Sequence, residues 1–346
     1  MAATQALRVA VVGAGAFGRN HLRVLRELQQ VGQTVELVAV VDRDSAAVAL
    51  ASEKFGVPGF ETIEECLTAV GGLDAASVCV PTVHHASVAA RLLAAGVDLL
   101  IEKPLAASLA DADLILELAR KHGRIVQVGH LERFNPAVSA ARQHLHKPMF
   151  FEAHRLSIFT PRSLDVDVVL DLMIHDLDIV LTFAGSPVKE VRAVGLPILS
   201  PKVDIANVRV EFESGCVANF TASRVSTERV RKLRFFEPRQ YVSIDYARRD
   251  VLVIAVDPEF SIEQAMAMGA ASGFSDGLPG LSFSKPEVTP GEPLKLEIAS
   301  FLDSVRSRKE PRVTGGQGRE ALALALEIQR AMVEHAGKAG LGDFFQ

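Results

Sequence analysis

The chain has 346 residues, of which 49% are apolar and 23% charged, and its formal net charge is −5. That length suits two domains of ordinary size, and the acidic balance excludes a general nucleic-acid binder. Its three cysteines, Cys66, Cys79 and Cys216, stand far apart, so neither a disulfide framework nor a metal-ligand spacing is present.

The first apolar run, in MAATQALRVAVVG, follows too little sequence to make a secretory signal. No uncharged apolar stretch approaches the roughly 18 to 20 residues of a membrane span. A soluble cytoplasmic protein is expected, without metal or membrane contact.

From residue 7 to 125 strands and helices alternate. LRVAVVG reads as a buried strand and AFGRNHLRVLRELQQ as a helix. Strand VELVAVVD, helices DSAAVALASEKFG and TIEECLTAV, strand AASVCVP, helix HHASVAARLLAAG, strand VDLLIEKP, helix LADADLILELARKHG and strand RIVQVG follow. This pattern predicts βαβ units and a parallel sheet. Its strands are nearly continuous apolar runs, as covering of both faces demands.

Beyond about residue 125 the texture changes. A helix near NPAVSAARQHL precedes strand MFFEAHRLS and an oily helix, and β-rich pieces follow. Among them VRVEFESGCVANF reads as a hairpin across Ser-Gly. A largely antiparallel open sheet with helices on one side is predicted. Residues 257–293, rich in Gly, Pro and Ser, read as a long loop, and two helices close the chain. The fold class is therefore α/β: an N-terminal doubly wound parallel sheet over 1–125, then an α+β domain over 126–346.

Chemistry gathers at the strand ends. GAGAFG, residues 13–18, follows the first strand and opens the first helix. Gly13 permits the tight turn, Gly15 lets backbone approach a pyrophosphate, and Gly18 lets helix pack on strand. Ala16 and Phe17 then start the helix whose N–H groups face the phosphates. Asp42, 24 residues after Gly18, ends the second strand and suits a ribose diol, favouring NAD over NADP; Arg43 beside it is a group that would greet a 2′-phosphate. Ligands of such sheets bind beyond the strands' carboxyl ends. Pro81, Thr82 and His85 of VPTVHH, with Glu102 and Lys103 of EKP, should rim the nicotinamide half.

DVVLDLMIHDLDIVL, residues 167–181, poses a puzzle, because an oily segment carries four carboxylates and a histidine. Helical geometry puts Asp167, Asp171, His175 and Asp178 on one stripe, either a solvated face or the lining of a cleft. Asp176 points off that stripe. Further on, Arg224, Arg229, Arg231, Lys232, Arg234 and Arg239 fall within 16 residues. They defend an exposed strand edge or bind a phosphate, and Arg155 and Arg162 are placed to add to such a site.

GAGAFG, VPTVHH, EKP, GHLERFNP and DLMIH occur in an order and spacing that resembles the Gfo/Idh/MocA family of NAD(P)-dependent sugar oxidoreductases. The resemblance covers nearly the whole chain; Thr82 departs from the Asn that many members carry. It implies that Lys103, Asp171 and His175 meet at the substrate beside the nicotinamide, with His175 or Lys103 as base. Asp167 caps the helix or binds substrate, and Asp178 and Asp176 support structure. GHLERFNPAV followed by DVVLDLMIHDLDIVL looks most like the branch that oxidises the 3-hydroxyl of UDP-N-acetylglucosamine. Arg133, Arg155, Arg162, Arg229 and Arg231 are then candidate substrate contacts. The ketone would pass to a PLP-dependent aminotransferase on the way to amide-linked lipid A or other amino sugars. The alternatives are a free polyol or sugar dehydrogenase, or a regulator that binds the dinucleotide without turnover. The family resemblance also implies a homodimer or homotetramer.

Overall fold

The computed structural model describes residues 5–160, 166–259, 261, 263 and 280–342. These form two compact units. One runs to Phe134 and takes in Gly291–Ala323; the other contains Asn135–Pro290 and the chain from Leu324.

The first unit alternates β1 (Leu7–Val12), α1 (Ala16–Gln30), β2 (Val35–Val41), α2 (Ser45–Phe55), β3 (Gly59–Phe60), α3 (Ile63–Val70), β4 (Ala75–Val78), α4 (His85–Ala94), β5 (Asp98–Glu102), α5 (Leu109–His122) and β6 (Val126–Gly129). Its sheet is parallel throughout, in the order β3-β2-β1-β4-β5-β6. That order reverses between β1 and β4, which opens a crevice at the strands' carboxyl ends. Local chemistry punctuates it. Asp44, Thr62 and Ser108 cap α2, α3 and α5 through their side chains, and left-handed Gly56, Gly71 and Gly123 end the same helices. The short β3 carried no periodic signal in the sequence.

The second unit contains α6 (Pro136–Arg142), β7 (Phe150–Leu156), a π-helical turn (Val169–Met173) that leads into α7 (Ile174–Ala184), and β8 (Val188–Leu196). Then come β9 (Ile205–Phe212), β10 (Val217–Ser223), β11 (Val230–Glu237), β12 (Gln240–Asp245), β13 (Asp250–Val256) and β14 (Leu281–Ser284). The sheet order is β14-β13-β12-β11-β7-β10-β9-β8, antiparallel except for the pairing of β7 with β10. Burial alternates along β7, β9 and β10, so one face is core and the other is open. Phe183 of α7 packs on the core face, its ring 6.5 Å from Phe151 and 6.0 Å from Phe235.

Three expectations are corrected. β11 lies between β7 and β12, so its cations do not guard a sheet edge. Part of the stretch expected as a loop over 257–293 is β14, which pairs with β13; residues 260, 262 and 264–279 of that stretch lie outside the described residues. The domain division expected at residue 125 also changes. Helix α8 (Pro293–Ser307) sinks Ile298, Phe301, Leu302 and Val305 into the core formed by Val9, Val11, Leu22 and Leu25. Arg308 pairs with buried Asp98 at the start of β5. Apolar burial thus ties this helix to the first unit. The final helix, α9 (Gly315–Lys338), contributes residues to both.

Candidate active site

The turn after β1 is built around two glycines at which a side chain would run into main chain. Gly13 sits at φ +104°, and a Cβ there would lie 2.5 Å from the Cys79 carbonyl oxygen. A Cβ on Gly18 would overlap the Gly13 carbonyl oxygen. Gly15 differs, because a Cβ there would meet nothing within 4 Å. Its φ of −64° is ordinary, and no side chain caps α1. So Gly13 and Gly18 are demanded by the fold, whereas the open surface at Gly15, Ala16 and Phe17 leaves the first N–H groups of α1 for a ligand.

Asp42 lies at the far side of this turn. Its Oδ2 accepts from the Ala14 N–H at 2.6 Å and its Oδ1 from the Asp44 N–H at 3.0 Å. A carboxylate oxygen takes more than one donor, so both remain able to receive a ribose hydroxyl. Beside it opens a pocket of about 310 Å³ walled by Val12, Val41, Ile63, Val80, Pro81 and Val88. Apolar walls with a carboxylate at the rim suit a purine nucleoside. Arg43 also lines this pocket and is exposed.

Thr82 begins a 3₁₀ turn, Thr82–His84, and is half-buried. His85 is corrected from a rim residue to an internal clamp. It is buried, with Nδ1 3.0 Å from the Pro104 carbonyl and Nε2 2.9 Å from the Val80 carbonyl. Burial holds its protonation below the usual histidine range, against carbonyls that favour the cation. It ties the loop after β4 to the residues that follow Lys103. The Lys103–Pro104 peptide is cis, and Lys103 is half-buried. Glu102, the last residue of β5, accepts from or donates to His21 Nε2 at 2.9 Å according to the proton's position. Burial pushes the Glu102 carboxyl up, but the His21 hydrogen bond and the charges of His21, Lys103 and His85 outweigh it, and the group titrates below the usual range. Arg133, expected at substrate, is instead buried. It donates to the Gln317 side chain at 2.9 Å and stands beside the Arg312 carbonyl.

In the second unit the oily segment divides its polar groups. Asp167 Oδ1 accepts the Val169 and Leu170 N–H groups at 2.9 and 3.1 Å, and Oδ2 accepts from Gln329, so Asp167 caps the π-helical turn. Asp176 is buried and takes a two-pronged hydrogen bond from Arg155, at 2.7 and 3.0 Å. Arg155 also lies over the Tyr246 ring at 5.2 Å. That corrects the expectation that Arg155 serves an anion site, since its charge is committed to Asp176. Asp178 is buried. Asp171 lies within the π-helical turn and His175 in the first turn of α7, both half-buried. A regular α-helix was expected here; instead the Ile174 N–H reaches back five residues to the Val169 carbonyl.

The cation cluster also divides. Arg224 is buried against Asp204 at 3.1 Å, Arg234 donates to Glu152 at 3.0 Å, and Lys232 lies 3.8 Å from Asp245. Arg239 donates to the Asp257 carbonyl. Arg229, just before β11, and Arg231, its second residue, are exposed. Arg162 lies outside the described residues.

Comparison with known proteins bears on these features together. The model described as "Oxidoreductase family, NAD-binding Rossmann fold" matches residues 7–130, and the "GFO/IDH/MocA C-terminal domain" matches residues 137–239. UDP-N-acetylglucosamine 3-dehydrogenase of Acidithiobacillus ferrooxidans is 32% identical, over 94% of this chain and 97% of that one. The chain belongs to the Gfo/Idh/MocA oxidoreductase family. A solved structure of the Acidithiobacillus ferrooxidans enzyme superposes with a TM-score of 0.84 over 99% of this chain and all of that chain, at 30% identity. The scyllo-inositol 2-dehydrogenase (NAD(+)) of Bacillus subtilis is 28% identical over 64% of this chain and 68% of its own.

As a Gfo/Idh/MocA member the chain is an NAD-binding oxidoreductase. The residues fit that cofactor on structural grounds: the clear space at Gly15, the uncapped start of α1, and Asp42 at the mouth of an apolar pocket. Among the described residues no group of three or more His, Cys, Asp or Glu is arranged to hold a metal, and no helix is long and apolar enough to cross a membrane. Sequence reasoning missed His21. A signal for it exists, because His21 shares the buried stripe of α1 with Gly18, Leu22, Leu25 and Leu28. A histidine in such a stripe asks for a partner.

Proposed function

We propose that this protein oxidises the 3-hydroxyl of UDP-N-acetylglucosamine to a 3-keto nucleotide sugar. The observation that carries this reading is the extent of the similarity: it runs through 97% of a UDP-N-acetylglucosamine 3-dehydrogenase, against 68% of the scyllo-inositol enzyme. Oxidation of a secondary alcohol breaks a C–H bond, whose electron pair leaves as hydride, and an O–H bond, whose proton goes to a base. When bound, the nicotinamide supplies the hydride acceptor. The chain's own residues manage the proton and the charge. In this reading His175 takes the hydroxyl proton, Asp171 orients His175 or binds a neighbouring hydroxyl, and Lys103 donates a hydrogen bond to the developing alkoxide. Gly15, Ala16 and Phe17 hold the pyrophosphate, Asp42 the adenosine ribose, and Arg229 and Arg231 the substrate's diphosphate. The ketone is a substrate for a PLP-dependent aminotransferase, and the working unit is a cytoplasmic homodimer or homotetramer.

NADH formation tests the reading, on mixing the protein with NAD, UDP-N-acetylglucosamine, an aminotransferase and glutamate. Inositol and glucose run in parallel. NADH with the nucleotide sugar alone is expected. NADH with a free polyol alone would overturn the substrate and keep the chemistry. Lys103→Ala should abolish turnover while NAD still binds; retained turnover removes Lys103 from its role.

A further inference from the structure

Helix α1 and strand β5 meet at a polar contact between a fully buried histidine and a nearly buried carboxylate. His21 is 0% exposed, and its Nε2 lies 2.9 Å from Oε1 of Glu102. The Glu102 side chain is 12% exposed and immediately precedes Lys103. Packing makes room for this carboxylate. Glu102 pairs with Gly129 across β5 and β6, and a Cβ at 129 would come within 3.1 Å of Glu102 Cα, Cδ and Oε2. From the other side, His85 holds the carbonyls of Pro104 and Leu105 at 3.0 and 3.3 Å. The turn that carries Lys103 is thus fixed before it by Glu102 and after it by His85. An apolar side chain would fill the helix stripe at position 21 without the desolvation an imidazole costs there. The imidazole's use is its hydrogen bond to a carboxylate that is nearly sealed from water.

We propose that His21 is a positioning residue, which holds the Glu102 carboxylate in one place beside Lys103 and thereby sets the direction and reactivity of the Lys103 ammonium. The inference rests on the reading that Lys103 takes part in turnover. His21 acts only through Glu102, because it has no exposed surface. It links the helix that begins at the phosphate turn to the strand end that presents the lysine.

Two variants of the full-length protein separate this role from packing. His21→Leu fills the space without a donor, and His21→Gln restores an amide donor. The first readout needs no substrate: the rate of Lys103 acetylation by acetic anhydride, followed by mass spectrometry against Lys295 as internal reference. His21→Leu should change that rate several-fold, and His21→Gln should return it towards wild type. With NAD and UDP-N-acetylglucosamine, kcat should fall about tenfold in His21→Leu, the size of one hydrogen bond to a charged group. It should recover in His21→Gln, with KM for NAD unchanged in both. Equal Lys103 reactivity in all three proteins overturns the proposal, as does an equal loss of kcat in the two variants. If His21→Leu does not fold, Glu102→Gln takes its place, since it removes the charge and keeps the shape. It should alter Lys103 acetylation likewise, and an unaltered rate overturns the proposal. A wild type inert towards UDP-N-acetylglucosamine would count against the proposed function alone, while acetylation would still decide the role of His21.

Discussion

The two glycines at positions 15 and 18 should behave oppositely when each is replaced by alanine. At Gly18 the new methyl overlaps the Gly13 carbonyl oxygen, lies 2.8 Å from its carbon, and sits 3.6 Å from Cys79 Cβ. The obstacle is main chain, in a turn whose Gly13 is itself hemmed in by the Cys79 carbonyl, so relief requires shifting α1 against β1. Overpacking costs about 1–3 kcal/mol, and a backbone obstacle puts this case at the upper end. At about 2–4 °C per kcal/mol for a unit of this size, Tm should fall by about 6–12 °C. At Gly15 nothing lies within 4 Å and φ is −64°, so the methyl is accepted without strain. Tm should stay within about 2 °C of wild type, since a compatible Gly→Ala change is neutral or slightly stabilising. The methyl then stands where a pyrophosphate must approach, and NAD affinity should fall at least about tenfold, or ~1.4 kcal/mol. Thermal melts without nucleotide and calorimetric titration with NAD separate the two. A Gly15→Ala protein that binds NAD as tightly as wild type would refute the placement of the pyrophosphate. A Gly18→Ala protein with an unshifted Tm would refute the close-packing argument.

Three further outcomes are expected. Asp176→Ala should lower stability by about 3–5 kcal/mol, because it strands the buried Arg155 guanidinium; a chemical denaturation midpoint near wild type would show that the pair contributes little. Replacing Arg229 and Arg231 by Ala should raise KM for UDP-N-acetylglucosamine with little change in kcat, and an unmoved KM removes both from the substrate's diphosphate. Burial pushes the Asp204 carboxyl up, but the Ser200 hydroxyl and the N–H groups of Ser200, Ile198 and Leu199 outweigh it, so the group titrates below its ordinary range. A carboxyl lowered on folding contributes stability above its unfolded value, and that stability is lost as pH falls through the folded one. Tm should therefore drop on acidification below about pH 4, and Asp204→Asn should flatten that limb; an unchanged slope would assign the acid loss to other groups.

Much of the fold was legible because its signals are local. Continuous apolar runs marked β1, β2, β4, β5 and β6, and the turn residues between them marked the helices. What escaped depended on distance along the chain. β3 is two residues long and exists because β2 supplies its partner. β11 reads as an edge strand by its charge, yet lies inside the sheet because Arg234 and Lys232 are matched by Glu152 and Asp245 on neighbouring strands. α8 reads as part of the second domain by its position, and joins the first because its apolar face completes that core. In the candidate site, the glycine turn and Asp42 were legible, since chemistry and backbone conformation name the same residues. His85 and Arg133 were misplaced for a common reason: a polar residue near a motif reads as a ligand contact, and only tertiary packing shows that main-chain carbonyls and Gln317 occupy it.

The oily segment 167–181 shows where that distinction is sharpest. Its polar side chains are alike in type and spaced three or four apart, so periodicity alone gives them one role. The structure gives them several. Asp167 is consumed by the first N–H groups of the turn, and Asp176 by Arg155, whose stacking on Tyr246 fixes the pair further. Asp176 is a buried polar group whose cost the fold has met internally, and half-buried Asp167 is likewise bonded within the chain. Asp171 and His175 keep part of their surface open, as Asp167 does and Asp176 does not, and between them the helix changes from π to α. A π-helical turn is a less favourable backbone than the α-helix on either count of hydrogen bonds and packing, and such turns recur at functional sites. The segment accepts it at the one place where a half-open carboxylate is followed by a half-open imidazole. That coincidence, which no property of the single residues contains, supports the proposal that the pair does chemistry, while Asp167 and Asp176 serve the fold.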